Sequence, residues 1–228
     1  LFESESLFTP NKIVPLNVPQ QLSLWDVSDN SKNSQKTSPN DRIAGVDEVG
    51  RGCLFGPVVA GAVILSDEAA VLLKAAGVTD SKKLSHNQRC RLAKLIREEA
   101  VACAIGMASV QEIDRLNILQ ASLLAMKRSV NKLQVKPEFC LIDGNQGIPN
   151  LGIPQQTMIK GDSNSLVIAA ASILAKVWRD DLIVRLAKKY PEYDLTSNKG
   201  YGTAKHTQAL QQYGVSRQHR RSFAPCRV

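Results

Sequence analysis

No Cys-x-x-Cys pair occurs in this chain, and its five cysteines, at 53, 90, 103, 140 and 226, are odd in number and far apart. That arrangement excludes a clustered zinc site and a disulfide framework. It fits a reducing compartment, so a cytoplasmic location is expected. No apolar run approaches the ~20 residues of a membrane helix. The longest, around residues 57–65, is of strand length. Residues 1–10 carry Glu3 and Glu5 where a secretory signal has basic residues and an apolar stretch. There is no internal repeat. There is also no Gly-x-x-x-x-Gly-Lys-Ser/Thr loop, so phosphate binding through such a loop has no support.

What is present is a chain of 228 residues with 29 Lys+Arg, 21 Asp+Glu, a formal net charge of +8 and 43% hydrophobic residues. That length suits one large domain or two small ones, and the composition excludes a wholly disordered chain. The charge is uneven. Residues 1–40 hold three lysines against four acids, a net of −1, so residues 41–228 carry +9. The last thirty residues contain Lys199, Lys205, Arg217, Arg220, Arg221 and Arg227 and no acid. An anionic partner is expected, although charge alone does not choose nucleic acid over an anionic membrane surface.

Residues 29–40 are polar, rich in Ser and Asn, and without apolar periodicity, which reads as a linker. The expected division is a flexible tail over 1–40 and one mixed α/β body over 41–228. In the body, residues 42–46 read as a strand and 49–56 as a Gly-rich turn. Residues 58–65 read as a buried strand and 67–76 as a short helix closed by Gly77. Ser85 and Gln88 form a capping box before a helix over 89–100. Strand-like 101–108, one or two helices over 110–133, and short strands at 139–142 and 156–159 follow. A long helix over 163–189 and a last helix over 203–213, with Gly214 at its end, complete the pattern.

The informative feature is where the carboxylates fall. Asp47-Glu48 follows the first expected strand, Asp143 a later one, and Asp162 another, just before the long helix. Sites in α/β sheets gather at strand C-termini. Four carboxylates converging there would repel one another unless cations sat among them, and hard oxygen ligands suit Mg²⁺ or Mn²⁺. Two such ions can activate water and stabilise the leaving oxygen in phosphodiester cleavage. Taken singly, each residue is equally at home as turn or cap chemistry. Asp47 and Glu48 also share a site only if the strand ends there, because neighbouring strand residues point to opposite faces.

Gly50-Arg51-Gly52-Cys53-Leu54-Phe55-Gly56 is not a dinucleotide-binding loop. Its spacing is Gly-x-Gly-x-x-x-Gly, and Pro57 with a strand follows where a helix is required. A Gly-flanked Arg lets backbone approach a ligand while a guanidinium reaches it; a tight turn with an exposed Arg is the other reading.

Several segments together resemble ribonuclease HII. They are Ala44-Gly45-Val46-Asp47-Glu48-Val49-Gly50-Arg51-Gly52, Asp80-Ser81-Lys82-Lys83-Leu84, Glu112-Ile113-Asp114-Arg115-Leu116-Asn117-Ile118-Leu119 and Leu141-Ile142-Asp143-Gly144-Asn145. Lys160-Gly161-Asp162-Ser163, Ala170-Ala171-Ser172-Ile173-Leu174-Ala175-Lys176-Val177, Lys199-Gly200-Tyr201-Gly202-Thr203 and His219-Arg220-Arg221-Ser222-Phe223 continue the set in the family's order. The resemblance implies a ribonuclease H-like mixed five-stranded sheet flanked by helices, with a helical C-terminal part, in a monomer. It implies hydrolysis of RNA in RNA–DNA hybrids and cleavage 5′ of single ribonucleotides in duplex DNA, leaving a 3′-hydroxyl and a 5′-phosphate. By motif, Asp47, Glu48 and Asp143 match metal ligands and Asp162 the second-metal or water-orienting carboxylate. Gly50, Arg51 and Gly52 match the loop that senses the ribose 2′-hydroxyl, and Tyr201 the aromatic that packs on the neighbouring deoxyribose. Lys82, Lys83, Arg220 and Arg221 suit phosphate contacts or a solvated basic surface equally. Lys176 faces either the site or solvent, and the small residues 169–172 suit close helix–sheet packing. Asn198 stands where many members have His, which puts a proton shuttle at that position in doubt.

In the tail, Gln21-Leu22-Ser23-Leu24-Trp25 resembles the bacterial sliding-clamp-binding pentapeptide, with Trp in place of Phe. Two other functions share parts of the pattern. A DNA resolvase or recombinase on the same core would use the acidic cluster but has no need of a 2′-hydroxyl sensor. A non-catalytic nucleic-acid-binding protein would not place acids against phosphates.

Overall fold

The computed structural model describes residues 42–227. The tail motif Gln21, Leu22, Leu24 and Trp25 lies outside the described residues. Five strands form one mixed sheet: β1 (Ile43–Val49), β2 (Val58–Ile64), β3 (Ala102–Ala108), β4 (Phe139–Asp143) and β5 (Gln155–Met158), in the order β3-β2-β1-β4-β5. The β1–β2 and β2–β3 pairs are antiparallel, and β1–β4 and β4–β5 are parallel. This is the mixed five-stranded sheet that the resemblance implies.

Both faces are covered. Helix α4 (Ile118–Asn131) lies on one and α6 (Leu166–Ala187) on the other. Every residue of β2 is therefore buried, and its sequence reads as one apolar run instead of alternating. Ala44, Val46, Ala60 and Ala62 pack with Leu123, Ala125, Met126 and Val130 of α4. On the opposite face, a Cβ on Gly45 would lie 2.3 Å from the Val167 carbonyl carbon, and one on Gly61 would lie 2.4 Å from the Ala171 oxygen. Alternate glycines thus bring α6 down to backbone contact with the two central strands.

Helices α1 (Asp67–Ala75) and α2 (His86–Glu99) follow β2, and α2 carries the expected Ser85–Gln88 capping box. The 110–133 stretch is two helices, α3 (Val110–Leu116) and α4. Asn117, at φ +73°, ends the first, and its side chain caps the second. The long helix expected from residue 163 also divides, into a single turn α5 (Gly161–Asn164) and α6, with Ser165 extended between them. Asp162 therefore sits in the separate turn and does not open the long helix. After α6 come α7 (Leu195–Asn198) and α8 (Ala204–Tyr213). They build a second core of Leu54, Phe55, Ile183, Tyr193, Leu195 and Leu210 behind the Gly-rich loop. No described helix is long and apolar enough to cross a membrane.

Candidate active site

The site is made where two parallel strands part. The β1–β4 ladder stops at Val46↔Ile142, whereas β1 continues against β2 through Asp47↔Gly61 and Glu48↔Ala60. Asp143, one residue further along β4, pairs with Met158 on β5. The expectation that β1 ends before Asp47 is corrected: Asp47 and Glu48 lie inside the strand and point to opposite faces. They share a site because β4 has left the β1 edge at that height.

Asp47 is 5% exposed, and its Oδ1 accepts the Glu48 amide at 2.7 Å. Ser172 of α6 stands beside the same carboxylate, and the Ser172 hydroxyl lies 3.0 Å from that of Ser81. Either hydroxyl can donate in that pair, and Ser172 pulls the Asp47 carboxyl down, so this small residue has a polar role beside the carboxylate as well as permitting close packing. Burial, then the charge of Glu48 and more weakly Asp143, pushes the Asp47 carboxyl well above its ordinary range. Burial also raises Glu48, opposed by Arg51, whose Nη1 is 3.2 Å from Glu48 Oε1.

Asp143 is held from the other side. Lys160 adopts a left-handed conformation (φ +56°), which swings the chain so that the Gly161 amide donates to Asp143 Oδ1 at 2.7 Å. The next residue, Asp162, is 6% exposed and accepts from Lys82 Nζ at 2.9 Å. That hydrogen bond raises the Lys82 ammonium, helped by the charges of Asp162, Asp80 and Asp47. Lys82 therefore bridges toward the carboxylates, and Lys83 is exposed beside it.

Among the described residues, no group of three or more His, Cys, Asp or Glu side chains closes around one point as a finished metal centre. The chemistry of the donor set nevertheless suits a hard divalent cation: the converging groups are all carboxylates, and burial with neighbouring negative charge disfavours the ionised forms of Asp47 and Glu48. A groove runs from Glu48, Arg51 and Asp143 to Leu119, Ser122 and Met126 of α4.

The residues expected to read the substrate also meet. Tyr201 forms an antiparallel bridge with Cys53, and Leu54 N donates to Gly200 O at 2.8 Å. Tyr201 is 41% exposed next to the 50–53 loop, with Lys176 Nζ 5.7 Å from its ring centroid. Lys176 pairs with Asp180 at 2.9 Å.

The support beneath these loops was not legible in the sequence. Arg220, expected as a phosphate contact or solvated charge, is fully buried and donates to Gly56 O and Arg51 O. Arg179, also fully buried, donates to Pro57 O, Lys199 O and Phe55 O. Asn198 spends its amide on Tyr193 O and its oxygen on the Gly200 N–H, both at 2.7 Å. Its role is to shape the turn. His206 Nδ1 lies 2.9 Å from Tyr201 O and therefore donates. His219 Nδ1 accepts the Ser216 amide at 3.0 Å, so His219 Nε2–H donates to His206 Nε2 at 3.0 Å. Burial, then His206, pushes His219 down to about 4, which keeps this pair neutral.

The Ribonuclease HII sequence family matches residues 44–226. The ribonuclease HII of Trichodesmium erythraeum (strain IMS101) is 67% identical over 183 residues, 80% of this chain and 87% of that protein. The Archaeoglobus fulgidus RNase HII, solved in complex with PCNA, is 30% identical with a TM-score of 0.61, covering 78% of this chain and 91% of that one. Bst-RNase HIII, solved in complex with Mn²⁺, shares the fold at 22% identity with a TM-score of 0.69, covering 81% of this chain and 68% of that one. A match that spans nearly all the described residues, with a relative two-thirds identical to it, makes this chain a member of the ribonuclease HII family.

Proposed function

We propose that this protein hydrolyses the RNA strand of RNA–DNA hybrids and cuts duplex DNA on the 5′ side of a single ribonucleotide, leaving a 3′-hydroxyl and a 5′-phosphate. The observation that carries this reading is the joining of the carboxylates at the parted strand ends to an exposed Arg51–Gly52–Tyr201 surface. A resolvase has no use for such a surface, and a protein that only binds nucleic acid would gain nothing from acids there.

In this reading Asp47, Glu48 and Asp143 hold a divalent ion, Mg²⁺ or Mn²⁺, and Asp162 stands beside them as the further carboxylate. The chemistry supplied by bound divalent metal is water activation and charge neutralisation at the leaving oxygen. The protein's own part is positional. The Glu48 amide fixes Asp47, and the Gly161 amide fixes Asp143. Lys82 and Lys83 offer cations to the phosphates, within a body carrying +9. Gly52 leaves backbone exposed to the ribose 2′-hydroxyl, the local difference between RNA and DNA.

Incubation with Mg²⁺ or Mn²⁺ and a duplex bearing one ribonucleotide should give cleavage at that nucleotide and none in an all-DNA duplex. Arg51→Ala should lose this discrimination more than it loses binding. Equal cutting of both duplexes, or of neither, would contradict the proposal.

The same reading extends to the tail. Gln21-Leu22-Ser23-Leu24-Trp25 carries two leucines and an aromatic suited to an apolar pocket on a sliding clamp, which would raise the enzyme's local concentration on DNA. The PCNA-bound archaeal relative supports a clamp as the kind of partner. A peptide covering residues 19–29 should bind the cognate clamp at ~100 μM or below. Leu24→Ala and Trp25→Ala should each remove that binding. An unmodified peptide that fails to bind would sink the idea.

A further inference from the structure

We infer that Arg179 and Arg220 are positioning residues for junction recognition: together they lock the Gly50–Pro57 loop to the Lys199–Tyr201 loop and set both at a fixed distance from the catalytic carboxylates. The inference rests on the reading of Arg51, Gly52 and Tyr201 as the surface that contacts the ribonucleotide.

The geometry is unusual for buried arginine. Both guanidinium groups are fully buried, and among the described residues neither forms an ion pair with a carboxylate. Their partners are backbone carbonyls. Arg179 uses Nε on Pro57 at 3.2 Å, Nη1 on Lys199 at 2.9 Å and Nη2 on Phe55 at 3.0 Å. Arg220 uses Nε on Gly56 at 3.0 Å and Nη1 on Arg51 at 2.7 Å. Its Nη2 is buried without a hydrogen-bond partner among the described residues, and its guanidinium lies 5.2 Å from the Phe223 ring centroid.

Burying two neighbouring like charges is unfavourable, and apolar side chains would serve stability alone at least as well. Burial, with Arg179 adding to it, lowers Arg220 to about 10. What two planar forks supply, and apolar groups do not, is a fixed direction for carbonyls on two separate loops. Those loops carry Arg51, Gly52 and Tyr201.

Helix α6 adds the distance. Arg179 is seven residues after Ser172 on the same helix, about 10 Å along its axis. Ser172 stands beside Asp47, and Arg179 holds the loop. One rigid element therefore spaces the cutting chemistry from the ribose-reading surface. That spacing decides which phosphate is cut relative to the ribonucleotide.

The test is a ratio. A variant that only weakens the fold lowers the active fraction and reduces kcat/KM on every substrate by the same factor. A positioning variant lowers kcat/KM for a single embedded ribonucleotide more than for a long uniform hybrid. Arg220→Lys and Arg179→Lys keep the charge and lose the fork. Each should lower that ratio by about 10-fold, because small misplacements of positioned groups carry such penalties. An unchanged ratio in the variants, while Arg51→Ala shifts it, would overturn the inference and leave the junction reading standing. If Arg51→Ala also leaves it unchanged, the junction reading itself fails. Should the lysine variants not fold, hydrogen exchange on the unaltered protein decides: the amides of residues 53–56 and 200–201 should exchange as slowly as those of β1. Rapid exchange there would show that the arginines do not lock the loops.

Discussion

Asp143→Asn should abolish cleavage of a ribonucleotide-containing duplex while the protein still folds. The structure separates the two consequences. Asp143 holds the fold through Oδ1, which accepts the Gly161 amide at 2.7 Å, and an asparagine oxygen accepts the same bond. The side chain is only partly buried, so the change in stability should stay within about 1 kcal/mol. Its charge also pushes up both Asp47 and Glu48, and removing it relieves part of that repulsion. What asparagine lacks is the negative charge that a divalent ion requires. Loss of groups that merely orient metal ligands lowers affinity or activity by about 10–100-fold, so loss of a ligand should exceed ~100-fold. A thermal melt beside a cleavage time course checks both halves. Activity within ~10-fold of the unaltered protein would remove Asp143 from the proposed ligand set.

The carboxylates were legible in the sequence because each follows a segment that reads as a strand, and their joint occurrence matched the family's order. Their convergence was not. Neighbouring strand residues face opposite ways, and by that rule Asp47 and Glu48 belong to different surfaces unless the strand stops. The strand does not stop; its parallel partner does, after Ile142. Where a ladder ends depends on a strand about a hundred residues away, which no local pattern reports. The same limit hid the arginines. Arg is seldom fully buried, so Arg220 reads from sequence as a surface cation. Its burial depends on carbonyls presented by residues 51 and 56, over 160 positions earlier. The split before α6 was hidden for another reason. No glycine or proline marks it, and only the extended Ser165 interrupts the helix. The alternation of strands and helices and the Ser85 capping box were readable because they rest on periodicity and on a spacing of three, whereas the mixed five-stranded sheet was implied by the family resemblance.

Gly50→Ala and Gly52→Ala should fail in opposite ways, although both glycines flank the same arginine. Gly50 has φ +90°, and a Cβ there would lie 2.2 Å from Arg179 Nε. An alanine would meet backbone strain of about 1–2 kcal/mol and overpacking of about 1–3 kcal/mol. Arg179 cannot yield easily, since it is fully buried and hydrogen-bonded at all three nitrogens. Gly50→Ala should therefore destabilise the fold by about 2–5 kcal/mol, the sum of those two contributions. Gly52 differs on each point. Its φ is not in the left-handed region, it is exposed, and a Cβ would find no atom within 4 Å. Nothing within the described protein requires glycine at that position. In the proposed reading its role is external: the substrate comes closer to this backbone than a methyl group permits. Gly52→Ala should leave stability within about 0.5 kcal/mol and lower kcat/KM on a single embedded ribonucleotide by about 10-fold or more, since one misplaced methyl is worth that much. Full activity in a stable Gly52→Ala protein would mean that the substrate does not approach this backbone. Full stability in Gly50→Ala would mean that Arg179 does not hold the loop as the packing requires. Because one substitution reads the inner face of the loop and the other its outer face, the pair separates what builds the recognition surface from what the surface recognises.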